Sequence, residues 1–286
     1  MVRVCAIQMA STQDINDNLV RALELINQAA LAGARLIVLP ENFLTFGLTP
    51  GETLHFAQSA KNLDCQNSLA QAAEKHKIWL VGGTLPVPHV SLAHKIYSRC
   101  FVWGPTGEVI TYYDKIHLFD VVLPEGESYQ ESTQIIAGEK IVSFDTPFGK
   151  VGVVICYDLR FPELFRTLLY QGVEIFVVPA AFTMNTGQVH WEVLLKARAI
   201  ENLCYLIASA ETGIRFNGAQ TYGHSMIVSP WGKIIASQAQ GDGAVLGEID
   251  REGLVTLRRH FPVLSHSRTS VMEAFIKARE RSESRL

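Results

Sequence analysis

Apolar residues in this chain fall into two kinds of block. Some are continuous aliphatic runs of strand length, as expected for strands buried on both faces. These are LIVLP (36–40), IWLVGGT (78–84), KVGVVIC (150–156), VEIFVVPA (173–180) and CYLIASA (204–210). A looser alternation over 2–9 predicts a first strand. Others recur at helical spacing: Leu19, Leu23, Ile26 and Ala30 predict a helix over 16–31 that ends at Gly33. Further helices are predicted over 64–77, 163–171 and 191–202. Residues 96–103 and 108–113 form a predicted hairpin around Gly104, Pro105, Thr106 and Gly107, and HSMIVSP and KIIAS form a second around Trp231 and Gly232.

The order of these blocks repeats. Gly33-Ala34-Arg35 precedes LIVLP as Gly172-Val173-Glu174 precedes IFVVP, and the hairpin turns PTG and PWG correspond. The chain is thus a duplicated β-α-β-α-β-hairpin unit. Two such halves predict two mixed sheets stacked face to face with helices outside, an α/β fold in the form of a four-layer α-β-β-α sandwich. No Gly/Ser-rich or Pro-rich linker divides it, so 1–266 is expected to be one domain and 267–286 a polar tail with one amphipathic set, Met272, Phe275 and Ile276.

Composition narrows the classes of function. Twenty-five Lys and Arg against 28 Asp and Glu give a net charge of −3, so no basic field points to nucleic acid or an anionic membrane. No apolar run approaches the roughly 18 residues of a spanning helix, and MVRVCAIQMA lacks a signal-peptide core, so a cytoplasmic protein is expected. The five cysteines form no C-x-x-C pair and the nine histidines no H-E-x-x-H, so neither a metal nor another cofactor is expected.

Three stretches can carry chemistry. In KVGVVICYDLRFPE (150–163) an apolar strand stops at Cys156 and a helix starts near Pro162. That geometry presents a sulfur at the carboxyl edge of a sheet, beside backbone N–H groups able to meet a developing negative charge. Equally, a cysteine often only fills a core. Glu41 follows LIVLP directly, at the corresponding edge of the other repeat, where a partly desolvated carboxylate suits a general base; it could equally be a loop glutamate in water. Lys115, in YYDKIHLFD, is flanked by bulk rather than charge. A buried ammonium there would lower the thiol pKa and hold a carbonyl oxygen, whereas most lysines are solvated. His117 could be a competing base in a Cys–His pair, although a structural role is the favoured reading because Glu41 and Lys115 already supply the needed groups.

LPEN (Glu41), YDKIHLFD (Lys115) and ICYDLRFPE (Cys156), in that order, resemble the nitrilase superfamily of carbon–nitrogen hydrolases over nearly the whole chain. The resemblance implies a Glu–Lys–Cys triad on the α-β-β-α sandwich, a second glutamate that falls on Glu131, and assembly as a homodimer or higher homo-oligomer. FPE, AFTMNTGQVHWEVLLKARAIEN, YGHSMIVSPWG and LRRHFPV resemble the Nit-type amidases within it, and Tyr157 in place of the tryptophan usual in true nitrilases points to amides. One departure is Gln188-Val189-His190, where related amidases often carry PAH. The expected partner is a small-molecule amide of a 2-oxo acid, foremost deaminated glutathione, with 2-oxoglutaramate and N-carbamoyl amines as alternatives.

On this reading the thiol attacks an amide carbonyl, Glu41 shuttles the proton, and Lys115 with the backbone N–H of Tyr157 stabilises the oxyanion. Arg160, four residues past the sulfur, is placed to pair with a substrate carboxylate, or else with Asp158 or Glu163. By resemblance, Phe182 and Thr186 line the same pocket. Substrate choice is expected to depend on the loops after Phe43, Phe182 and Arg215.

Overall fold

A computed structural model describes residues 1–123, 126–214 and 218–268. Arg215 and the tail residues Met272, Phe275 and Ile276 lie outside the described residues. Met1–Asp250 forms one compact unit and a second begins at Arg251.

The first half alternates strand and helix: β1 (Val2–Gln8), α1 (Ile15–Leu31), β2 (Leu36–Val38), α2 (Pro50–Ala57), α3 (Ala60–His76) and β3 (Trp79–Val81). β4 (Leu85–Pro88), β5 (Ile96–Trp103) and β6 (Val109–Asp114) follow as an antiparallel set. β1, β2 and β3 run parallel, and β5 pairs antiparallel with β3, β4 and β6. A small hairpin, β7 (Asp120–Val122) and β8 (Ser128–Gln130), stands apart.

The second half opens with β9 (Ser143–Thr146) and β10 (Gly149–Val153), then α4 (Pro162–Tyr170) and β11 (Ile175–Ala180). A helical run follows, made of a short α5 (Met184–Thr186), a π-helical turn (Gly187–Trp191) and α6 (Glu192–Asn202). β12 (Tyr205–Ala210), β13 (Ser225–Val228) and β14 (Ile234–Gln238) complete a six-stranded sheet ordered β14-β13-β12-β11-β10-β9. β15 (Gly243–Ile249) returns to the first sheet, antiparallel to β1 over its whole length.

The two sheets pack face to face, β1 against β12 and β13, β2 against β11 and β12. Strand alternation assigns the layers. Cys5 and Ile7 of β1 join a core with Leu25 and Ile26 of α1 and Leu69 and Ala73 of α3. Their neighbours Val4 and Ala6, fully buried, face the other sheet. On the far side α6 packs on β12 and β13, and Phe165 of α4 meets Phe176 of β11. This is the four-layer α-β-β-α sandwich. The duplicated plan is real: each sheet has three parallel strands followed by antiparallel ones.

Two elements of this unit escape the periodicity. α2 is only eight residues long and has Gly51 in its first turn, but Thr49 caps it in a capping box with Glu52. β15 shows weak alternation, interrupted by Gly247. The second unit contributes helix α7 (Arg251–His260), where the apolar residues are too sparse to show a helical stripe.

Candidate active site

Glu41 leaves the end of β2 through a backbone fixed by its neighbours. Leu39 N–H donates to the Val81 carbonyl (2.9 Å), continuing the parallel pairing with β3. Asn42 turns left-handed (φ +58°), and Thr84 Oγ1 holds it by accepting from Asn42 N–H at 2.8 Å and donating to Asn42 Oδ1 at 3.0 Å. Gly83 (φ +60°) closes against this turn, where a Cβ would lie 2.1 Å from the Pro40 carbonyl oxygen. Only glycine fits that approach. The Glu41 side chain is thereby buried.

Lys115 follows β6, with its backbone N–H still bonded to Ser98 of β5 (3.0 Å). Its ammonium donates to Glu41 Oε1 at 2.8 Å and to both carboxylate oxygens of Glu131 at 2.9 Å. Glu131, just after β8, is itself fixed by Phe119 N–H at 2.7 Å. Burial opposes the ammonium charge, but the charges of Glu131 and Glu41 outweigh it and hold the Lys115 pKa well above the ordinary lysine value. The lysine is therefore a cation at neutral pH.

Cys156 opens a 3-10 helical turn (Cys156–Arg160) three residues past β10, whose parallel register with β11 (Val151↔Ile175, Val153↔Val177) sets its height at the sheet edge. There the chain turns at once, with Cys156 at φ +47°. A non-glycine residue in that region carries strain of roughly 1–2 kcal/mol. Glu41, Lys115 and Ala181, just past β11, line the cavity with the thiol and act on its charge. Burial, and then the Glu41 charge, raise its pKa well above the ordinary cysteine value, against the pull of Lys115 and Ala181 N–H. Lys115 does pull the thiol pKa down as expected, but burial and Glu41 outweigh it. With burial and then the Glu41 charge both disfavouring the thiolate, the sulfur rests as a neutral thiol.

These side chains share the wall of one cavity of about 270 Å3. Tyr157, Arg160, Phe182 and Thr186 line it too. The Tyr157 ring stands edge-on to Phe119, Phe182 packs on Trp191, and Thr186 bonds through its hydroxyl to Thr183. Arg160 makes neither of the ion pairs considered from sequence. Asp158 is engaged elsewhere, and the guanidinium instead contacts His190 Nδ1 through both terminal nitrogens at 3.3 Å. His117 is no competing base, because its Nδ1 lies 2.7 Å from Asp158 Oδ1 and its ring is stacked on Phe161 at 3.6 Å.

Sequence reasoning misses part of the wall: the end of α2 (Pro50, Thr53), Phe119 and Tyr129 of the hairpin region, and Ala181 N–H. The capping box T-P-G-E was a legible signal for α2; a backbone donor such as Ala181 carries none.

Comparison with known proteins settles the family. The carbon-nitrogen hydrolase family matches residues 3–259. The chain belongs to the carbon–nitrogen hydrolase family. It is 41% identical over 264 residues to the deaminated glutathione amidase of Synechocystis sp., covering 91% of this chain and 96% of that one. It is 34% identical over 271 residues to the mouse (Mus musculus) omega-amidase NIT2, covering 94% of this chain and 96% of the relative. Among solved structures, the C. elegans NitFhit protein superposes with a TM-score of 0.89 at 37% identity, covering 94% of this carbon–nitrogen hydrolase and 66% of that chain. The fold and the hydrolase class expected from the motifs are both upheld.

Proposed function

We propose that this carbon–nitrogen hydrolase is a thiol amidase acting on the amide of a small 2-oxo acid, foremost deaminated glutathione. The observation that carries the reading is that the Lys115 ammonium bonded to Glu41 and the Cys156 thiol line one cavity, which Arg160 also lines without a carboxylate partner among the described residues.

Because the thiol is neutral at rest, attack and deprotonation are coupled. The Cys156 sulfur bonds to the amide carbon as its proton passes to Glu41. Lys115, with the Tyr157 N–H, meets the oxyanion, a contribution of roughly 3–4 kcal/mol per well-placed donor. Glu41 then gives that proton to the departing nitrogen as the C–N bond breaks, leaving a thioester and free amine. Water enters, Glu41 takes its proton, the hydroxide oxygen bonds to the acyl carbon, and the C–S bond breaks. The acid leaves and the proton returns to sulfur. Glu131 keeps Lys115 aimed at the carbonyl side.

Arg160 pairs with the 2-oxo-acid carboxylate, and Tyr157, Phe182 and Thr186 wall the acyl group. The names of the relatives support deaminated glutathione as substrate, and an omega-amidase reading second. On our reading the first would release 2-oxoglutarate and cysteinylglycine, the second would take 2-oxoglutaramate, and N-carbamoyl amines come third. The same reading has one hydrolase domain over 1–266 followed by a tail, a cytoplasmic setting, and a homodimer or higher homo-oligomer. No described helix is long and apolar enough to cross a membrane. An exposed apolar line along the α5–α6 run, Val189, Val193 and Ile200, supports assembly.

Side-by-side turnover of deaminated glutathione and 2-oxoglutaramate tests the substrate. A higher kcat/KM for the former is expected, and the reverse order favours the omega-amidase reading.

A further inference from the structure

Asp158 is fully buried, two residues past the sulfur, and is absent from the reaction just described. Its carboxylate nevertheless collects four donors. Oδ2 accepts from Ile155 N–H at 2.8 Å and from the Tyr113 hydroxyl at 2.7 Å. Oδ1 accepts from His117 N–H at 3.0 Å and from His117 Nδ1 at 2.7 Å.

The identity of these donors is what matters. Ile155 immediately precedes Cys156. Tyr113 and His117 stand two residues before and two residues after Lys115. The thiol and the ammonium come from different sheets, and this carboxylate bonds to the backbone beside each of them. We propose that Asp158 is a positioning residue that clamps the Lys115 segment to the Cys156 turn and so sets the distance between ammonium and sulfur. The clamp also accounts for the strained φ of Cys156, since a bond to Ile155 N–H on one side and Asp158 in the turn on the other hold that residue from both ends. Burial of a carboxylate is tolerable here because all four bonds, one of them from the His117 imidazole, compensate for lost water. The inference rests on Cys156 being the nucleophile.

Two substitutions separate the clamp from general support of the fold. Asp158→Asn replaces one oxygen by a donor that faces two donors, so one pair of bonds is lost. Tyr113→Phe deletes a single hydroxyl and leaves the ring in its buried site. A misplacement near 1 Å costs about 100-fold in rate, so turnover per titrated Cys156 is expected to fall about 100-fold in Asp158→Asn and about tenfold in Tyr113→Phe, with KM nearly unchanged.

The second readout is alkylation of Cys156 by iodoacetamide across pH. Lys115 is the charge that pulls the thiol pKa down, so loosening the clamp moves the alkylation profile to higher pH. A loss of fold alone would lower the fraction of titratable sites without moving the profile of those that remain. Folded variants with wild-type kcat and an unshifted profile overturn the proposal. If Asp158→Asn does not fold, Tyr113→Phe decides alone. A Cys156→Ala control distinguishes failure of the underlying reading: if it still turns over, the nucleophile assignment fails, whatever the clamp variants do.

Discussion

One ammonium between two carboxylates, beside a protonated thiol, is an unusual charge balance for a buried site. Its logic lies in what each group does to the next. Glu131 bonds Lys115 through both oxygens, leaving Glu41 with a single bond to the ammonium in the cavity wall it shares with the sulfur. Glu41 is thus the carboxylate free to take a proton, and Glu131 the one that keeps Lys115 charged.

Glu131→Gln removes the larger of the two carboxylate charges that raise the Lys115 pKa. The lysine then loses its proton at lower pH, so the alkaline limb of the kcat profile shifts toward neutrality, and loss of the charge-assisted bond lowers stability by about 2 kcal/mol. An unmoved alkaline limb would contradict this role. Glu41 and Cys156 were legible in the sequence because each ends an apolar strand, a place where a polar residue is conspicuous. Glu131 was not, since it lies in a polar loop and is marked only by a contact 16 positions back in the chain.

Among elements, the strand ends set the precision of the site. Helix α1 begins and ends within a residue of its periodic pattern, because apolar spacing and Gly33 both mark it. α3 starts four residues earlier than its pattern, since Asn62 is buried and bonded to the Ala57 and Pro86 carbonyls. A polar residue facing inward hides a helix turn from any hydrophobic count. The Gly82–Thr84 segment beyond β3 fixes Glu41 in turn, and it does so only because Gly83 has no side chain. Gly83→Ala is expected to cost about 2–4 kcal/mol in denaturant unfolding and to lower kcat more than it raises KM, since it displaces the turn at Pro40 that carries Glu41. Wild-type stability would show that the turn yields without strain.

Across the whole sandwich, the two sheets are tied by polar contacts as well as by apolar ones. Met9 and Glu211 form a parallel bridge between the ends of β1 and β12. The Glu211 carboxylate, fully buried, accepts from Ser11 N–H at 2.7 Å and Ser11 Oγ at 2.9 Å. Burial raises its pKa from 4.5 to about 8, against the pull of those two bonds. Between those two values the unfolded chain has released a proton that the folded chain keeps. Stability therefore falls as pH rises through that window and levels off above it.

Glu211→Gln cannot ionise, so wild type should lose stability relative to the variant by on the order of 3–5 kcal/mol between pH 5 and pH 8, read from paired unfolding curves. Parallel curves would show that the carboxylate is ionised throughout. The layer order was readable from the duplicated strand pattern, but β15 and this joint were not. Both are long-range pairings, and the chain carries no local mark of them.

The central claim is that Cys156 carries the acyl group between the two halves of the reaction. Rapid quenching of the enzyme during turnover of a slow 2-oxo-acid amide, followed by peptide mass spectrometry, tests it most directly. The account predicts a mass increase equal to the acyl group less one hydrogen on the peptide containing Cys156, absent in Cys156→Ala. An adduct on any other side chain, or steady turnover by Cys156→Ala, would contradict it.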